Sequence, residues 1–573
     1  MTTLNATRPA AAADQPSVTV LIDRCAGCEE CIIRCPTGAL SLDATRWVAE
    51  ADSSLCVGCR QCVRTCPFSA IEVTGTALVA ERTKLVVQLP KQLLRNNVEV
   101  RCGLPDWESV LQEASRCLAC PDPTCVRGCP AHNDIPGFIE ALRSRDLNAA
   151  HQVLRRTSVL PDICSRVCDQ SSQCEGACTW SLAGAQPVAI GALERFTCDA
   201  AAVPPASRRS DAGQGLSVGI IGSGPAGIAA AWELNEAGAF VTVYEKDQEP
   251  GGLLGWGIPD FTLPKSVADR PWDQLRAAGV LLRCDTEVLP GEIDRLLETH
   301  DAVIMAQGAG ISLRPSVPGA DLDGVVDATS FLKHAKEILE RRGLPTQEGD
   351  FVTGSGARNS THLLRVLVLG AGNTGMDVAR TARRLGAKAV CIDWLDRRFA
   401  VVRSDELAEA IAEGVEPRFA TTLLRLEGED GHVRRAVLAQ TRQKHGGERP
   451  KVLSDQVEFL AVDTVVMAMG YRNDPAFVPA LPGTPIRRQA NGLADRRWMA
   501  SGILARSSAD KPVGTAALGR EVGISASESP INERLWAAGD ALVGPATVVE
   551  AMAHGKRAAQ AILLSRPQRR PAV

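Results

Sequence analysis

The sequence is long, weakly charged and rich in cysteine. Its 573 residues carry a formal net charge of −4, and 45% of them are hydrophobic. This length predicts roughly three to five domains, and the slightly acidic balance argues against a nucleic-acid-binding protein. No apolar stretch approaches the roughly 18 residues that span a bilayer. Residues 1–17 are polar and Ala-rich, as in a disordered lead-in rather than a signal peptide, so we expect a cytoplasmic protein.

Twenty cysteines are the unusual feature of the composition, and 16 of them fall in four tight groups before residue 180. A secreted disulfide scaffold is one interpretation, but the chain is large and its start does not resemble a secretory signal. Tight cysteine groups in a cytosolic protein instead indicate metal binding. The remaining four, outside the groups, are Cys102, Cys198, Cys284 and Cys391.

Residues 18–75 contain two similar cysteine runs, C-x2-C-x2-C-x3-C-P, which begin at Cys25 and Cys56. This run is typical of bacterial ferredoxins, in which the fourth cysteine of each run ligates the other cluster. We therefore predict two [4Fe–4S] clusters. The first is assigned to Cys25, Cys28, Cys31 and Cys66, and the second to Cys35, Cys56, Cys59 and Cys62. Zinc is the alternative, but zinc prefers two cysteine pairs to two runs of four.

Residues 76–205 contain a different run, made of Cys117, Cys120, Cys125 and Cys129, and a later group made of Cys164, Cys168, Cys174 and Cys178. Together they predict a second metal-binding module with two more clusters. Residues 200–215 then form a polar, Pro-rich and Ala-rich linker.

From residue 216 the sequence alternates apolar strands with Ala-rich helices, as in an α/β enzyme. The first strand leads into Gly222-x-Gly224-Pro225-Ala226-Gly227, and a second strand ends at Glu245. Such glycines permit a tight turn and bring backbone N–H groups to a pyrophosphate at a helix N-terminus, while the acid accepts ribose hydroxyls. The Pro-Ala variant is seen in FAD-binding flavoproteins.

A second motif of strand, glycine turn and helix follows about 150 residues later, and its turn contains Gly370, Gly372, Asn373, Thr374 and Gly375. It predicts an NAD(P)H site. Guanidinium groups pair with phosphate, so Arg397, Arg398 and Arg403 are candidates for binding a 2′-phosphate. Asp393 stands where an acid would favour NAD, so both nucleotides stay open, and we lean to NADPH.

Several segments resemble the glutamate synthase small (beta) subunit family. They are RCLACPDPTCVRGCPAHNDIPGFIEAL, ICSRVCDQSSQCEGAC, PVAIGALERF, EKDQEPGGLLGWGIPDFTLPK and LWAAGDALVGPATVVEAMAHGKRAA. The cysteine-rich segments also resemble the N-terminal part of dihydropyrimidine dehydrogenase. The resemblance covers about residues 100–560 and implies a reductase module that serves a separate catalytic subunit.

The resemblance also implies site residues. One cluster is expected on Cys117, Cys120, Cys125 and Cys178, and the other on Cys129, Cys168, Cys174 and Glu194, which leaves Cys164 over. Further FAD contacts are expected from Gly252, Leu253, Gly539, Asp540, Thr547 and Val548. Thr262 stands where relatives often carry Arg, which puts one FAD contact in doubt.

The expected fold is therefore multidomain. A two-[4Fe–4S] ferredoxin-like α+β domain (18–75) precedes an α-helical iron–sulfur domain (76–205) and an α/β flavoprotein with two dinucleotide-binding domains. In the flavoprotein, an NAD(P)H-binding domain (331–474) is inserted between the two parts of the FAD-binding domain (216–330 and 475–573). Residues 476–530 are predicted to form a loop-rich insertion.

The function we infer is NAD(P)H:acceptor oxidoreduction, with hydride passing from NAD(P)H to FAD and single electrons passing through four [4Fe–4S] clusters to a ferredoxin or a partner subunit. The cofactors do the chemistry, so we predict no catalytic side chain. The direction and the acceptor stay open. One alternative is a subunit of an electron-bifurcating NAD(P)H:ferredoxin oxidoreductase, and another is a non-catalytic, zinc-binding redox sensor or scaffold.

Overall fold

The computed structural model describes residues 15–87, 97–201, 210–342, 364–477 and 534–566. The predicted insertion at 476–530 lies almost wholly outside these residues. The chain divides into two units, which are described separately: residues 1–86 with 102–203, and residues 87–101 with 204–573. Among the described residues, no helix combines the length and the apolar character needed to cross a lipid bilayer.

The first unit begins with two short repeats built around the cysteine runs. Its elements are β1 (Ser17–Val20), α1 (Glu30–Ile33), β2 (Leu40–Asp43), β3 (Val48–Ala51), α2 (Gln61–Thr65) and β4 (Ile71–Thr74). Strand β1 pairs antiparallel with β4, and β2 pairs antiparallel with β3. Glu29 and Arg60, which precede the third cysteine of each run by two residues, both adopt left-handed backbone (φ 59° and 57°). The two loops therefore turn in the same way at equivalent positions.

Helices form the rest of the first unit. They are α3 (Trp107–Ser115), α4 (Thr124–Gly128), α5 (Ile135–Arg143), α6 (Leu147–Arg155), α7 (Pro161–Val167), α8 (Thr179–Leu182) and α9 (Ile190–Ala200). Asp106, Asp134 and Asp146 accept backbone N–H hydrogen bonds at the starts of α3, α5 and α6, which stabilises helix N-termini. Phe138 and Leu193, neither of them exposed, belong to the core on which these helices pack.

The second unit contains two parallel sheets of five strands. The first has the order β21-β10-β7-β8-β9, with β7 (Ser217–Ile221), β8 (Phe240–Tyr244), β9 (Leu281–Arg283), β10 (Ala302–Met305) and β21 (Leu535–Ala537). Helix α10 (Pro225–Glu236) packs against α19 (Val548–Ser565). A Cβ at Gly555 would lie 2.0 Å from the Ala226 carbonyl oxygen, so only glycine permits this approach.

The second sheet has the order β12-β19-β13-β14-β15. Its strands are β12 (Val325–Asp327), β13 (Arg365–Leu369), β14 (Lys388–Ile392), β15 (Glu416–Arg418) and β19 (Thr464–Met467). They all fall between β10 and β21 in the chain. Helices α15 (Ala328–Arg342), α16 (Asn373–Arg384) and α17 (Ser404–Ala412) accompany this sheet.

The remaining elements are short or lie beside the sheets. An antiparallel sheet contains β16 (Thr421–Glu429), β17 (His432–Arg442) and β18 (Lys451–Ala461), and β11 (Ile311–Ser312) pairs with β20 (Tyr471–Arg472). Two further strands are β5 (Val86–Val87) and β6 (Arg101–Gly103). The short helices are α11 (Leu253–Trp256), α12 (Lys265–Ala268), α13 (Arg270–Ala277), α14 (Ile293–Thr299) and α18 (Asp540–Val543). At this level the predicted class, cysteine-rich domains followed by an α/β region of dinucleotide-binding type, is confirmed.

Candidate functional site: four cysteine cages and two dinucleotide turns

Cage I consists of Cys25, Cys28, Cys31 and Cys66, which line one cavity in the first unit. The structure thus places the fourth cysteine of the second run with the first three of the first run. The backbone N–H of Ala70 donates to Cys66 Sγ at 3.3 Å. Burial, together with the charges of the neighbouring thiols, raises the pKa of Cys31 to about 11. Such crowded thiols resist ionisation until a cationic centre compensates their charge, which suits a metal cluster.

Cage II consists of Cys35, Cys56, Cys59 and Cys62, which line a second cavity. Here the exchanged residue is Cys35, the fourth cysteine of the first run. Burial, followed by the charges of Cys59 and Cys35, raises the pKa of Cys62 to about 12. The backbone N–H of Ala39 donates to Cys35 Sγ at 3.2 Å. Four soft sulfur donors around one cavity match the chemistry of an iron–sulfur cluster.

Cage III consists of Cys117, Cys120, Cys125 and Cys178, which line a third cavity. Cys178 precedes α8 and lies 53 residues after Cys125, the last of the other three. Burial raises the pKa of Cys125 to about 12, and the other three thiols add to that rise. The set has the same donor chemistry as cages I and II.

Cage IV consists of Cys129, Cys168, Cys174 and Glu194, all of them buried. Burial raises the pKa of Cys129 to about 11, and the charge of Glu194 also raises it. Burial likewise raises the pKa of Glu194, to about 8, and its Oε1 has no hydrogen-bond partner among the described residues. A buried carboxylate oxygen without a partner is costly, and a metal ligated there would satisfy it.

Cys164 lies beside cage IV, although the sequence left it unassigned. Its thiol forms a hydrogen bond with Cys168, and this bond is the main cause of the raised pKa of Cys168. Cys164 lies on α7 and Cys168 directly follows that helix. A spacing of four residues brings two side chains to one face of a helix. The spacing of Cys164 and Cys168 is therefore the signal in the sequence that predicts Cys164 beside cage IV.

The first dinucleotide turn connects β7 to α10. Gly222 has φ +99°, and a Cβ there would lie 2.5 Å from the Ala306 carbonyl oxygen. A Cβ at Gly227 would lie 2.1 Å from the Gly222 carbonyl oxygen, whereas a Cβ at Gly224 would meet no atom of a described residue within 4 Å. Pro225 is the first residue of the helix. The open space above Gly224, at the start of α10, therefore fits a pyrophosphate.

Glu245 ends the neighbouring strand and faces this turn. It is buried, its Oε2 accepts the Ser223 backbone N–H at 2.9 Å, and its Oε1 accepts the Asp247 N–H at 3.0 Å. The carboxylate is therefore held against the glycine loop. Each carboxylate oxygen can accept more than one hydrogen bond, so the predicted contact with ribose hydroxyls is compatible with this arrangement.

Two more predicted segments meet the first turn. A Cβ on Gly252, which precedes Leu253 at the start of α11, would lie 3.2 Å from Gly224 Cα. A Cβ on Gly539, which precedes Asp540, would lie 2.8 Å from the Ala226 Cβ. The last predicted pair stands where α19 begins, with Thr547 as the N-cap and Val548 as the first residue. These segments converge on one edge of the first sheet.

Two polar residues at the same edge were missed by the sequence analysis. Gln307 follows β10, and its Cα would lie 2.8 Å from a Cβ on Gly222. Asn473 follows β20 and donates from Nδ2 to the Ala541 carbonyl at 3.0 Å. The side-chain oxygens of both residues are buried and have no hydrogen-bond partner among the described residues. Unpaired buried acceptors beside the glycine turn fit a site that a polar cofactor completes.

The second dinucleotide turn connects β13 to α16 and repeats the geometry of the first. Gly370 has φ +101°, and a Cβ on Gly375 would lie 1.9 Å from the Gly370 carbonyl oxygen. At Gly372 only Val401 Cγ2 comes within 4 Å of such a Cβ, at 3.9 Å. Asp393 follows β14 as Glu245 follows β8, and its Oδ2 accepts the Ala371 N–H at 2.9 Å. Asn373 and Thr374 begin α16.

The three predicted arginines differ in their surroundings. Arg398 pairs with Asp396, with its Nε 2.9 Å and its Nη2 3.0 Å from the two carboxylate oxygens. Arg403 is buried and pairs with Asp405 at 2.7 Å. Arg397 is exposed and forms no ion pair with a described residue. Its charge is therefore the least compensated of the three.

A buried charge network lies behind the second turn, between α16 and α17. Glu413 accepts hydrogen bonds from Arg380 at 2.9 and 3.0 Å and from Arg384 at 2.6 and 2.9 Å. Both guanidinium groups also stack on Phe261, at 4.5 and 3.7 Å from the ring centroid. The hydroxyl of the neighbouring Thr262 donates to Asp377 Oδ1 at 3.4 Å. Thr262 thus contacts α16.

Three family models match the chain. They describe a 4Fe–4S binding domain at residues 48–71, domain II of dihydropyrimidine dehydrogenase with its 4Fe–4S cluster at residues 94–204, and a pyridine nucleotide-disulphide oxidoreductase at residues 216–497. The second and third matches correspond to cages III and IV and to the two dinucleotide turns.

Among curated relatives, the Escherichia coli putative oxidoreductase AegA is 35% identical over 79% of this chain, which spans 65% of that protein. The glutamate synthase [NADPH] small chain of Halomonas elongata is 33% identical over 79% of this chain and 89% of that protein. Among solved structures, Mycobacterium tuberculosis FprA in complex with NADPH is 21% identical over 61% of this chain and 84% of that chain, with a TM-score of 0.42.

These matches confirm the resemblance inferred from the sequence. A dehydrogenase-type iron–sulfur domain and a pyridine nucleotide oxidoreductase domain follow each other in one polypeptide, as they do in the relatives that match over most of their length. The chain belongs to the glutamate synthase small chain family and is an iron–sulfur flavoprotein oxidoreductase that depends on NAD(P)H.

Proposed function

We propose that this protein oxidises NADPH, holds one FAD and four [4Fe–4S] clusters, and passes electrons to a separate acceptor protein. The observation that carries the proposal is the convergence of four cysteine-rich donor sets in the same chain as two dinucleotide turns. FAD, when bound, supplies the conversion between two-electron and one-electron transfer. This conversion links a nicotinamide, which gives two electrons at once, to iron–sulfur clusters, which accept one electron each. The protein's own task is to bind, orient and tune these groups.

In this proposal each cage supplies the ligands of one cluster. Cages I, II and III each offer four thiols, and three of the four residues in cage IV are cysteines. Glu194 is the proposed fourth ligand of cage IV, because its buried Oε1 lacks a partner among the described residues. A carboxylate ligand changes the charge of a cluster and hence its reduction potential. We assign cages I and II to domain 18–75, and cages III and IV to domain 76–205.

In the flavoprotein part, we assign FAD to residues 216–330 and 475–573, and the nicotinamide nucleotide to residues 331–474. Gly224 leaves room for the FAD pyrophosphate, and Gly372 leaves similar room in the second turn. No side chain is assigned as an acid or base, because hydride transfer between the two ring systems needs none. The side chains of these turns hold the reactants and exclude water.

NADPH is the proposed nucleotide because Arg397 offers an exposed positive charge in the loop after β14. A 2′-phosphate would pair with this guanidinium, whereas NADH would leave it unused. The names of the small-chain relatives also specify NADPH. Asp393 argues in the other direction, so the comparison of the two nucleotides is part of the test.

The proposed acceptor is a ferredoxin or a separate catalytic subunit. The matching relatives are called small chains, which implies a larger companion for those proteins. In this chain, Cys28 of cage I is exposed. Phe68, which lines the same cavity, is 48% exposed, and Ile33 is 62% exposed. An exposed cluster edge beside apolar side chains suits electron transfer to another protein.

The test is the composition and reduction of protein purified without oxygen. We expect a brown protein with about sixteen iron atoms, four in each cluster, and about one FAD per chain. NADPH should bleach the flavin at a lower concentration than NADH. A colourless protein that contains zinc would contradict the proposal, and so would a flavin that neither nucleotide reduces.

A further inference from the structure

Gln61 and Thr179 join cage II to cage III. Gln61 lies between Cys59 and Cys62 in the sequence and is only 1% exposed. Its Nε2 donates to the Asp122 carbonyl at 3.0 Å, and its Oε1 accepts the hydroxyl of Thr179 at 3.3 Å. Thr179 directly follows Cys178 of cage III, and its Oγ1 lies 3.4 Å from Cys120 Sγ. One amide and one hydroxyl therefore form a continuous hydrogen-bonded path between the two cages.

The charges around this path also indicate that the cages are neighbours. The guanidinium of Arg64 interacts electrostatically with Cys59 and Cys62 of cage II and with Cys120 of cage III. Burial raises the pKa of Cys120 to about 11, and the charge of Cys59 contributes to that rise. The hydrogen bond with Thr179 acts in the opposite direction, because it stabilises the thiolate form of Cys120.

The path is held in place on both sides. Asp122, whose carbonyl fixes the Gln61 amide, accepts a side-chain hydrogen bond from Arg34 at 3.0 Å and another from Arg127. Arg34 follows α1 and directly precedes Cys35 of cage II, and Arg127 lies on α4, two residues after Cys125 of cage III. Because the Gln61 amide nitrogen is used by Asp122, its oxygen must face Thr179. Thr179 is 4% exposed, so bulk water does not compete for these bonds.

We propose that Gln61 and Thr179 are the junction through which electrons pass between the ferredoxin-like and helical domains, and that the Thr179 hydroxyl sets the reduction potential at cage III. This inference rests on the proposed function, because it assumes clusters in both cages. Clusters bound in cages II and III would exchange single electrons across this junction, while the hydroxyl proton would stay on Thr179. Both residues are positioning residues rather than ligands.

The direction of the potential effect follows from the hydrogen bond. A thiolate ligand carries no proton, so in the cluster-loaded protein Cys120 Sγ is an acceptor, and the single proton of the Thr179 hydroxyl is shared between Cys120 Sγ at 3.4 Å and Gln61 Oε1 at 3.3 Å. A hydrogen bond to a ligand sulfur stabilises the more negative, reduced cluster and raises its potential. If removal of this bond changes the reduction equilibrium about tenfold, the potential falls by about 59 mV for one electron.

The first experiment measures this potential in the full chain, purified without oxygen. Dithionite titration followed by electron paramagnetic resonance compares Thr179→Val with wild type. We expect one cluster to become harder to reduce by about 59 mV, the one-electron equivalent of a tenfold change, and Thr179→Ser to restore the wild-type value. Thr65→Val is the matched control, because among the described residues the Thr65 hydroxyl bonds only to the backbone carbonyls of Gln61 and Cys62, at 3.0 and 3.4 Å.

The second experiment measures electron passage. Freeze-quench spectra after mixing with NADPH should show that Gln61→Leu delays reduction of the ferredoxin-like domain about tenfold while the flavin bleaches at the wild-type rate. Gln61→Leu leaves cage III intact, so this variant still tests the inference if Thr179→Val loses iron. The inference would be overturned if Thr179→Val kept the wild-type cluster potentials and if electrons reached the ferredoxin-like domain of Gln61→Leu as fast as in wild type. Failure of NADPH to reduce the wild-type flavin would instead refute the proposed function, because the dithionite titration does not depend on NADPH.

Discussion

Replacing Glu413 with glutamine tests whether the buried charge network supports the nucleotide-binding half of the molecule. Glu413 is 5% exposed and accepts four hydrogen bonds from Arg380 and Arg384, both of which are fully buried. Glutamine would leave the buried Arg384 guanidinium facing an amide, while Arg380 would keep its ion pairs with Glu406 at 2.7 Å and Glu409 at 3.0 Å. Breaking a buried ion pair from one side costs about 3–5 kcal/mol, so we expect Tm to fall by roughly 5–10 °C.

The assay is the release of flavin fluorescence on heating, with Glu416→Gln as the matched control. The side chain of Glu416 is 58% exposed and pairs with Arg418 at 2.7 Å, so its loss should cost less than about 1 kcal/mol. Because α16 begins at the second glycine turn, Glu413→Gln should also raise the KM for NADPH. If the Glu413 and Glu416 variants unfold within 1 °C of each other, the energetic role given to the network is wrong.

The pH dependence of this effect has a defined sign. Burial alone would raise the pKa of Glu413, but the hydrogen bonds from Arg384 and Arg380 outweigh it and lower the pKa below 4.5. A carboxyl group whose pKa is depressed by folding stabilises the protein above its unfolded pKa and loses that contribution as the pH falls through its folded pKa. The Tm difference between wild type and Glu413→Gln should therefore be full at pH 7 and shrink below about pH 4.5.

Three further substitutions test the cofactor sites. Gly224→Ala should lower the ratio of FAD to protein and leave the far-UV circular dichroism unchanged, because the new methyl group enters open space; full FAD retention would contradict this. Arg397→Ala should raise the KM for NADPH about tenfold, as expected for a lost bond to a charged group, and leave the KM for NADH unchanged; equal effects on both nucleotides would remove Arg397 from the site. Burial raises the pKa of Glu194 to about 8 in the iron-free protein, so at pH 7 this carboxyl must lose a proton before it can bind iron. The protonated carboxyl contributes to the stability of the folded protein, and that contribution is lost as the pH rises from 4.5 to about 8. Iron uptake should therefore be more complete at pH 8.5 than at pH 7, and Glu194→Gln should reduce this dependence to the part that comes from the thiols, as iron assays across the pH range would reveal.

The sequence was most informative where the determining geometry is local. Gly222 and Gly370 mark turns because a side chain at either position would meet a backbone carbonyl within 2.5 Å, a constraint contained in a few residues. The repeated ferredoxin run likewise predicted that Cys35 and Cys66 exchange partners, and the structure groups them in that way. Their role as ligands stays a prediction.

Features that depend on packing between distant segments could not be predicted. Gln61 and Thr179 are 118 residues apart, and nothing in the neighbours of either one signals their hydrogen bond. Glu413 follows α17 and meets two arginines of α16 only because the helices pack together in the second unit. Gln307 and Asn473 follow the strands β10 and β20, but their orientation toward the first turn depends on the tertiary fold.

The most direct test of the central claim is a titration of oxygen-free protein with NADPH, followed by optical and paramagnetic resonance spectra. Flavin and clusters that exchange electrons should take up more than one NADPH per FAD, and signals of reduced iron–sulfur clusters should grow as the flavin bleaches. Saturation at one NADPH per FAD, with no cluster signal although dithionite produces one, would contradict the account.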